Sequence, residues 1–380
     1  KVKVLSRNAS DYVRETSQDI HKIKRNFDPS LHPFEKAREY TRALNAVKLE
    51  RLFAKPFVGA LSGHVDGVYC MVKHPLKLTT IVSGSGDGEL RIWNLSEQTA
   101  TWNISGHKGI VRGVCCSPTK SDFYYSCGTD KTVKIWNPNE LSDEPINTFI
   151  GKSAFSAIDH HRSDLIFATS GSQMKTNAIS WNPMEAFNFT AANEDHNCYT
   201  FDMRKMDCAL NVLKGHVSAV LDLDYSPTGE EIVTGAYDRT LRIFHSRKGH
   251  SRDIYHTKRM QRIFCVKFSM DSKYVLSGSD DGNVRLWKAN ASEKIGPKDY
   301  RERAHLEYAE KLKDRYKNLP ELKRISRHRH IPKAVKTAQN TKLIMLQSQR
   351  RKEENLRKHS KKDSIPYKAE RKKSIIGVAK

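Results

Sequence analysis

The sequence has few cysteines and no long apolar run. Its seven cysteines are an odd number scattered over 380 residues, and none of their spacings is typical of a metal-binding knuckle. This pattern favours small apolar core residues in a reducing compartment over a disulfide framework. No apolar stretch is long enough to cross a membrane, and the first residues lack the apolar core of a signal peptide. We therefore expect a soluble intracellular protein with no membrane partner.

Motifs for catalysis are also missing. The sequence has no G-x-x-x-x-G-K-[ST] phosphate loop and, outside the repeats described below, no evident nucleophile–base or carboxylate pair. We expect a protein that is not an enzyme and that has no cofactor and no small-molecule substrate.

Acidic residues are too few to balance the basic ones, and the imbalance is uneven along the chain. There are 66 Lys and Arg against 43 Asp and Glu, a net charge of +23. Residues 58–287 hold 25 of each sign, whereas 1–57 carry +6 and 288–380 carry +17. Such asymmetry predicts a polyanionic partner, usually nucleic acid, for the two basic segments. A solvated tail without a fixed partner is the alternative.

The neutral segment contains a repeat. Five Asp residues each precede an aromatic by six positions, and three of the four intervals between them are 43 residues long. Small residues and Gly lead into each Asp, and alternating apolar residues follow, which indicates a tight turn followed by a half-buried strand. A period of this length resembles the WD-repeat family and predicts an all-β propeller over 58–287. The Asp–aromatic pairs are Asp87–Trp93, Asp130–Trp136, Asp195–Phe201, Asp238–Phe244 and Asp281–Trp287.

Three copies also carry a Gly-His dipeptide 22 or 23 residues before the Asp, at His64, His107 and His216. In WD-repeat proteins this His and Asp, with a Ser or Thr and the Trp, form a buried hydrogen-bonded set. An unpaired buried charge is costly, so we interpret these residues as structural rather than as a catalytic dyad.

One interval does not fit. Asp130 and Asp195 are 65 residues apart, about 64 fewer than three periods of 43. Residues 154–172 supply two strands of a blade, and a new blade then begins. We expect seven blades in the full protein, with a non-native junction near Gln173–Met174, and we expect the strand in 57–64 to complete the last blade.

The flanking segments carry the functional prediction. Residues 1–32 suggest an extended strap, and 33–53 predict a short helix that enters an assembly or packs on the propeller. After residue 288 we expect helices with a stripe through Leu306 and Leu319, then 321–330, then Pro332 to about Arg357. The division is 1–57, 58–287 and 288–380.

Basic residues in the last segment form the candidate interface with RNA. The stretch 324–333 alternates Arg with His, and guanidinium groups match phosphate oxygens. A metal site at His328 and His330 is disfavoured because no carboxylate or thiolate lies beside them. The runs at 350–362 are also typical of nuclear-localisation signals. The predicted RNA-binding residues are Arg324, Arg327, His328, Arg329, His330, Lys333, Arg371, Lys372 and Lys373.

Several blocks resemble one narrower family. Residues 31–59, 176–197, 216–244, 255–287 and 323–333 (KRISRHRHIPK) are similar to the suppressor-of-fibrillarin family of WD-repeat proteins. The resemblance implies a scaffold subunit of the nucleolar small-subunit processome, a large ribonucleoprotein with U3 small nucleolar RNA that processes the 18S rRNA precursor for 40S ribosome biogenesis. The implied location is the nucleus and nucleolus.

A different function remains open. Phe201-Asp202-Met203-Arg204 resembles the W/Y-D-x-R box by which some propellers dock on the adaptor of a cullin-4 ubiquitin ligase, with Phe in place of Trp or Tyr. Asp202 and Arg204 are the candidate docking residues, although an Arg after a third strand is common on blade edges. The resemblance implies a substrate receptor as the alternative.

Overall fold

The structure is a computed structural model, and it describes residues 34–118, 123–139, 144–161, 164, 166–171, 176–361, 364–373 and 375. The predicted strap over 1–32 and the Gln173–Met174 junction lie outside these residues. The described chain divides into two compact units, one holding residues 34–55 and 292–328 and the other residues 56–291 and 329–380.

The described residues of the first unit form three helices. They are α1 (Glu35–Leu52), α2 (Tyr300–Tyr316) and α3 (Pro320–Arg327). Pro320 occupies the first turn of α3, where its missing N–H leaves no hydrogen bond unmade. The middle of the predicted apolar stripe is buried, because Leu312 joins Ala43, Val47 and Leu322 in the core of this unit. Leu306 and Leu319, at the ends of the stripe, are each 38% exposed, so that part of the prediction is wrong.

Polar contacts along the same helices reinforce this packing. Arg315 pairs with Glu39 at 2.8 Å, and Lys313 pairs with Glu50 at 2.9 Å. The guanidinium of Arg51 donates to the carbonyl of Ser326 at 2.6 Å, which gives this carbonyl near the end of α3 a donor partner. The helix before the repeats and the helices after them therefore share one core, although composition alone places them in separate segments.

The second unit is a WD-repeat β-propeller. In the part of this unit that the structure describes, five sheets have four antiparallel strands each and one has two strands. In chain order the first three sheets are β2 (Val68–Lys73), β3 (Thr80–Ser85), β4 (Glu89–Asn94) and β5 (Thr99–Ser105), then β6 (Val111–Cys116), β7 (Tyr124–Gly128), β8 (Thr132–Trp136) and β9 (Asn147–Ile150), then the pair β10 (Phe155–His160) and β11 (Phe167–Gly171).

The remaining sheets follow the two-stranded pair. They are β12 (Thr176–Trp181), β13 (Asn188–Asn193), β14 (Cys198–Asp202) and β15 (Asn211–Leu213), then β16 (Val220–Tyr225), β17 (Glu231–Ala236), β18 (Leu241–His245) and β19 (Ser251–Tyr255), then β20 (Ile263–Phe268), β21 (Tyr274–Ser279) and β22 (Asn283–Lys288), completed by β1 (Phe57–Ser62). The prediction that the strand in 57–64 completes the last blade is confirmed, since β1 pairs antiparallel with β22.

The expected number of blades is wrong for this chain. The described residues contain five four-stranded sheets, not seven. The physical reason is the short interval between Asp130 and Asp195, whose described part holds only the end of one sheet, the pair β10–β11, and the start of the next. Each missing strand needs about five or six residues plus a turn, and the interval has no room for them.

The incomplete region leaves apolar side chains exposed. The innermost strand β12 alternates between half-buried and exposed residues, with Ile179 at 56% and Trp181 at 50% exposure. The innermost strands of other four-stranded sheets, such as β6 and β20, are mostly buried. Packing between neighbouring sheets is therefore what buries an innermost strand.

Carboxylates join two neighbouring sheets. Asp222 and Asp224 on β16 accept the backbone N–H groups of Val266 and Phe268 on β20, at 2.8 and 2.9 Å. Because β20 is the adjacent innermost strand, these bonds fix the register of one sheet against the next.

Of the five helices in the described residues, α1 precedes the propeller strands in sequence and four follow them, and the last two belong to the second unit. Those two are α4 (Lys333–His359) and the short α5 (Glu370–Lys373). A helical C-terminal region is therefore confirmed, with boundaries close to those expected. In the described part of the chain, no helix is both long and apolar enough to span a membrane.

Candidate interaction surfaces

The repeated Asp residues share one local role. In all five copies the carboxylate accepts the backbone N–H two residues later, at 3.0 to 3.4 Å. The residue in between has a positive φ in every copy: 88° at Gly88, 63° at Lys131, 71° at His196, 61° at Arg239 and 73° at Gly282. The side chain thus holds a tight turn whose central residue is left-handed, as Asp does in Asx turns.

Two copies add the buried His network. The Nδ1 of His107 lies 3.0 Å from the Asp130 carboxylate, and its Nε2 lies 2.7 Å from the Ser126 hydroxyl, which also accepts from the Trp136 indole. In the other copy, His216 contacts Asp238 at 2.9 Å and Thr234 at 2.7 Å.

Burial sets the protonation of these networks. Desolvation lowers the pKa of His107 and of His216 below the ordinary value, although the neighbouring carboxylates act in the opposite direction. Burial also disfavours ionised Asp238, but His216 and Arg242 outweigh that effect and lower the pKa of this carboxyl. Neutral imidazoles paired with carboxylates suit a structural role.

The other three copies use different partners. His64 contacts Ser83 at 2.7 Å, but its Nδ1 lies 3.4 Å from Glu89 rather than hydrogen bonding to Asp87. Asp195 accepts from the Tyr199 hydroxyl at 2.5 Å. The carboxylate of the last copy forms an ion pair with an arginine four residues later, Asp281 with Arg285.

One group of potential metal ligands occurs in the described part of the chain. The ligand atoms of His64, Asp87 and Glu89 lie within 4.8 Å of one another. Glu89 also forms an ion pair with Arg91 at 2.8 Å, and His64 bonds Ser83. These contacts account for the group as part of a blade, so we assign no metal to it.

The predicted RNA-binding residues fall in both units. In the first unit, Arg324 and Arg327 lie in the last turn of α3, and His328 caps that helix. Basic side chains at a helix C-terminus are stabilised by the helix dipole. Arg324 is exposed on this helix.

The second unit holds the rest, and part of that set contacts the propeller. Arg329 donates to the carbonyl of Arg252 at 2.5 Å, and His330 stacks on His256 with ring centroids 5.2 Å apart. These contacts occupy the Nε–H of one side chain and one face of the other. Lys333 is exposed at the start of α4.

The last basic cluster also meets the propeller. The carbonyl of Arg371 accepts from the backbone of Ala209 at 3.1 Å, and the preceding residue, Glu370, pairs with Lys214 and with Arg350. Arg371 lines a cavity of about 350 Å³, together with Asn182, Glu185, Asn188, Thr200, Leu210, Asn211, Tyr225, Ser246 and Arg247. Lys372 is exposed, and Lys373 ends α5.

Exposed cations on α4 stand out among the basic residues. Arg351, Lys352 and Lys358 are exposed, and none has an ion-pair or hydrogen-bond partner within the described residues. The basic run 350–362 predicts positive charge in this part of the sequence, but it does not predict which of its side chains lack an internal partner. Their accessible head groups suit phosphate contacts.

The candidate ligase-docking residues lie at the end of β14. Arg204 is 64% exposed at its side chain and forms a two-point contact with Asp202, at 3.0 and 3.2 Å. Its guanidinium also lies 4.4 Å from the ring centre of Phe187. The box is therefore an accessible surface feature in which the Arg is held by its own neighbours.

The sheets, the five turns and the two His networks define a WD-repeat propeller with a helical extension. Known families agree with that class: the WD domain, G-beta repeat, matches residues 55–94, 97–137, 208–245 and 247–288, and the Sof1-like domain matches 289–375. The chain belongs to the Sof1-like family of WD-repeat proteins.

Relatives match the chain along its whole length. It is 46% identical over 443 residues to DDB1- and CUL4-associated factor 13 of Xenopus laevis, with 100% of this chain and 99% of the relative covered. The human protein of that name is 46% identical over 445 residues, with both chains fully covered. Protein SOF1 of Saccharomyces cerevisiae is 45% identical over 465 residues, covering 100% of this chain and 95% of the relative.

The alignments are longer than the chain. The 443 positions aligned with the Xenopus protein exceed the 380 residues of this chain by 63. At least that many positions therefore have no counterpart here, which is close to the length missing from the repeat spacing.

Proposed function

We propose that this chain is a non-catalytic scaffold subunit of the nucleolar small-subunit processome, the particle that carries U3 small nucleolar RNA and processes the 18S rRNA precursor during 40S ribosome biogenesis. The observation that carries the proposal is membership of the Sof1-like family, with a basic family-specific region over 289–375. In this proposal the protein acts in the nucleolus.

The charge distribution supports a division of labour. The repeat region is neutral and rich in strands, so it suits protein contacts made by a rigid body. The α4 helix, by contrast, has eight basic and two acidic side chains. Cations of this kind bind RNA through phosphates and release counterions.

The best candidates for phosphate contact are the accessible cations without internal partners. Arg351, Lys352 and Lys358 meet that condition, whereas the Nε–H of Arg329 is already bonded to a backbone carbonyl. Lys342 has a structural task as well, since it donates to the carbonyl of His216 at 3.1 Å and ties α4 to the propeller.

The test replaces Arg351, Lys352 and Lys358 with Glu in the full chain. We expect loss of co-sedimentation with particles containing U3 RNA, and accumulation of unprocessed 18S precursor when this variant is the cell's only copy. In vitro, the slope of log K against log salt for single-stranded RNA should flatten by about 2, since each phosphate contact contributes about 0.7.

A matched control reverses three exposed lysines of the neutral region, Lys108, Lys248 and Lys258. It makes the same change in net charge, so unchanged sedimentation and processing are expected. Equal losses of sedimentation and processing in both variants would show that the effect depends on net charge alone and not on these three side chains. Wild-type protein that never co-sediments with U3 RNA would refute the proposed function.

A second candidate function is that of a substrate receptor for a cullin-4 ubiquitin ligase. The exposed Arg204 at the end of β14 favours it, as do relatives whose name is DDB1- and CUL4-associated factor 13. Arg204→Glu should abolish binding to the purified ligase adaptor while leaving rRNA processing intact. Lys205→Glu is the adjacent control, and adaptor binding that survives Arg204→Glu would remove this box from consideration.

A further inference from the structure

Each innermost strand of the propeller has the same irregularity. The register shifts at the second residue in β2, β6, β10, β12, β16 and β20. A β-bulge re-aims the side chain of the extra residue. The propeller therefore presents its second-position residues at equivalent places, and three neighbouring strands place Phe264, Tyr69 and Arg112 there.

These side chains form a continuous row. The rings of Tyr69 and Phe264 stack with centroids 4.4 Å apart and an interplanar angle of 12°. Tyr237 meets Phe264 edge-on at 6.1 Å. Tyr69 and Phe264 are only partly buried and Tyr237 is 38% exposed, so the aromatic row borders solvent.

An arginine lies over each end of the row. The guanidinium carbon of Arg112 is 5.2 Å from the ring centre of Tyr69, and that of Arg262 is 5.1 Å from the ring centre of Tyr237. Both arginines are exposed, and neither has an ion-pair partner among the described residues. A guanidinium stacked on an aromatic ring keeps its N–H fork free and oriented for a carboxylate or phosphate.

Carboxylates between the arginines distinguish the two kinds of anion. A Cβ on Gly67 would lie 3.2 Å from a carboxylate oxygen of Asp280 and 3.3 Å from the Phe264 ring. A Cβ on Gly86 would lie 2.4 Å from a carboxylate oxygen of Asp66 and 2.9 Å from the Tyr69 ring, so both carboxylates lie beside the stacked rings. They would repel a continuous run of phosphates. Separate carboxylates on a flexible chain, with an apolar side chain between them, avoid that repulsion.

We propose that the row Arg112–Tyr69–Phe264–Tyr237–Arg262 binds an acidic peptide segment of a protein partner. An aromatic or apolar side chain of the segment packs on the rings, and flanking carboxylates pair with the two guanidinium groups. This site is separate from the basic helices, and the proposal does not depend on the processome role.

A photoreactive probe tests it on the full chain. The probe is a nine-residue peptide with a benzoylphenylalanine at its centre, one Glu on each side of it and Gly or Ser elsewhere, and mass spectrometry locates the crosslinks. We expect crosslinks in the peptides that contain Tyr69 and Phe264. Their yield should fall at least tenfold in the double variant Arg112→Ala, Arg262→Ala.

Controls separate specific recognition from charge and from unfolding. Lys248→Ala removes a positive charge elsewhere in the propeller and should leave the crosslinks unchanged. Replacement of both arginines by Lys preserves the charge but removes the fork, so an intermediate yield is expected. Crosslinks confined to residues 300–373, or equal yields in all variants, would overturn the proposal. So would a nine-nucleotide oligouridine with 4-thiouridine at its centre that crosslinks to this row in preference to the peptide.

Discussion

The five repeated aspartates allow a direct measurement of what the His network contributes. Asp238 accepts from His216 at 2.9 Å, from the backbone of Val217 at 3.2 Å, and from the N–H and hydroxyl of Thr240 at 3.0 and 2.6 Å. Asp87 accepts from the backbone of Glu89 at 3.0 Å but makes no hydrogen bond to His64. Removing either carboxylate therefore deletes the hydrogen bond that holds the turn, but only the change at Asp238 also deletes the hydrogen bond to a buried histidine.

The magnitudes follow from these contacts. Asp87→Ala should lower the free energy of unfolding by about 1 kcal/mol, the net value of an ordinary hydrogen bond. Asp238→Ala leaves His216 and two backbone N–H groups buried without this acceptor. Because each buried donor left unsatisfied costs about 1–3 kcal/mol, the variant should lose about 3–5 kcal/mol. The difference is about 3 kcal/mol.

Urea unfolding followed by tryptophan fluorescence measures both variants. With a slope near 3 kcal/mol per M, the midpoint of Asp238→Ala should lie about 1 M below that of Asp87→Ala. A double-mutant cycle with His216→Ala isolates the pair, and its coupling should exceed about 1 kcal/mol. Equal midpoints for the two Asp variants, or no coupling, would refute the view that the network rather than the turn carries the stability.

Three further outcomes are expected. Burial lowers the pKa of His107 and His216, so below about pH 6.5 these two imidazoles bind more protons in the unfolded chain than in the folded chain. Urea midpoints should therefore be constant above that pH and fall below it. A rise in the midpoint on acidification would contradict this. Gly88→Ala should destabilise the propeller, because a Cβ there would lie 2.0 Å from the His107 carbonyl, whereas Lys131→Gly at the equivalent left-handed position should be tolerated in the same urea assay. Leu322→Ala should lower the stability of the three-helix unit by about 2–5 kcal/mol, seen as faster amide exchange in α1 with propeller amides unchanged; uniform acceleration would count against two separate units.

Local sequence patterns predicted the parts of the fold that depend on local contacts. A turn at Asp, a left-handed residue after it and alternating apolar residues all act within about ten positions, so the 43-residue period was enough to locate them. The pairing of β1 with β22 was also predictable, because the repeat leaves the last sheet one strand short. The number of sheets was not predictable in this way. Seven blades were inferred by extending the 43-residue period to a closed ring, and this chain lacks the residues for the remaining strands.

Long-range partners were beyond the sequence patterns. The contact of Arg315 with Glu39 joins residues 276 positions apart, and no periodic pattern in the sequence predicts it. Likewise, the alternation of Arg and His in 324–333 indicates positive charge, but it does not indicate which of these side chains already bonds to another part of the protein. Arg329 donates to a backbone carbonyl, whereas exposed Arg351 has no such partner among the described residues. Charge is a property of composition, whereas availability depends on the fold.

The strand that completes the last sheet has a consequence for biosynthesis. Among the described strands, β1 emerges from a ribosome first, but its hydrogen-bonding partner, β22, is made only when residues 283–288 appear. Until then two sheet edges remain open to unintended pairing, and closing so long a loop is slow. A growing chain should therefore need chaperone protection until translation passes residue 288, and premature termination just before that point should yield insoluble protein.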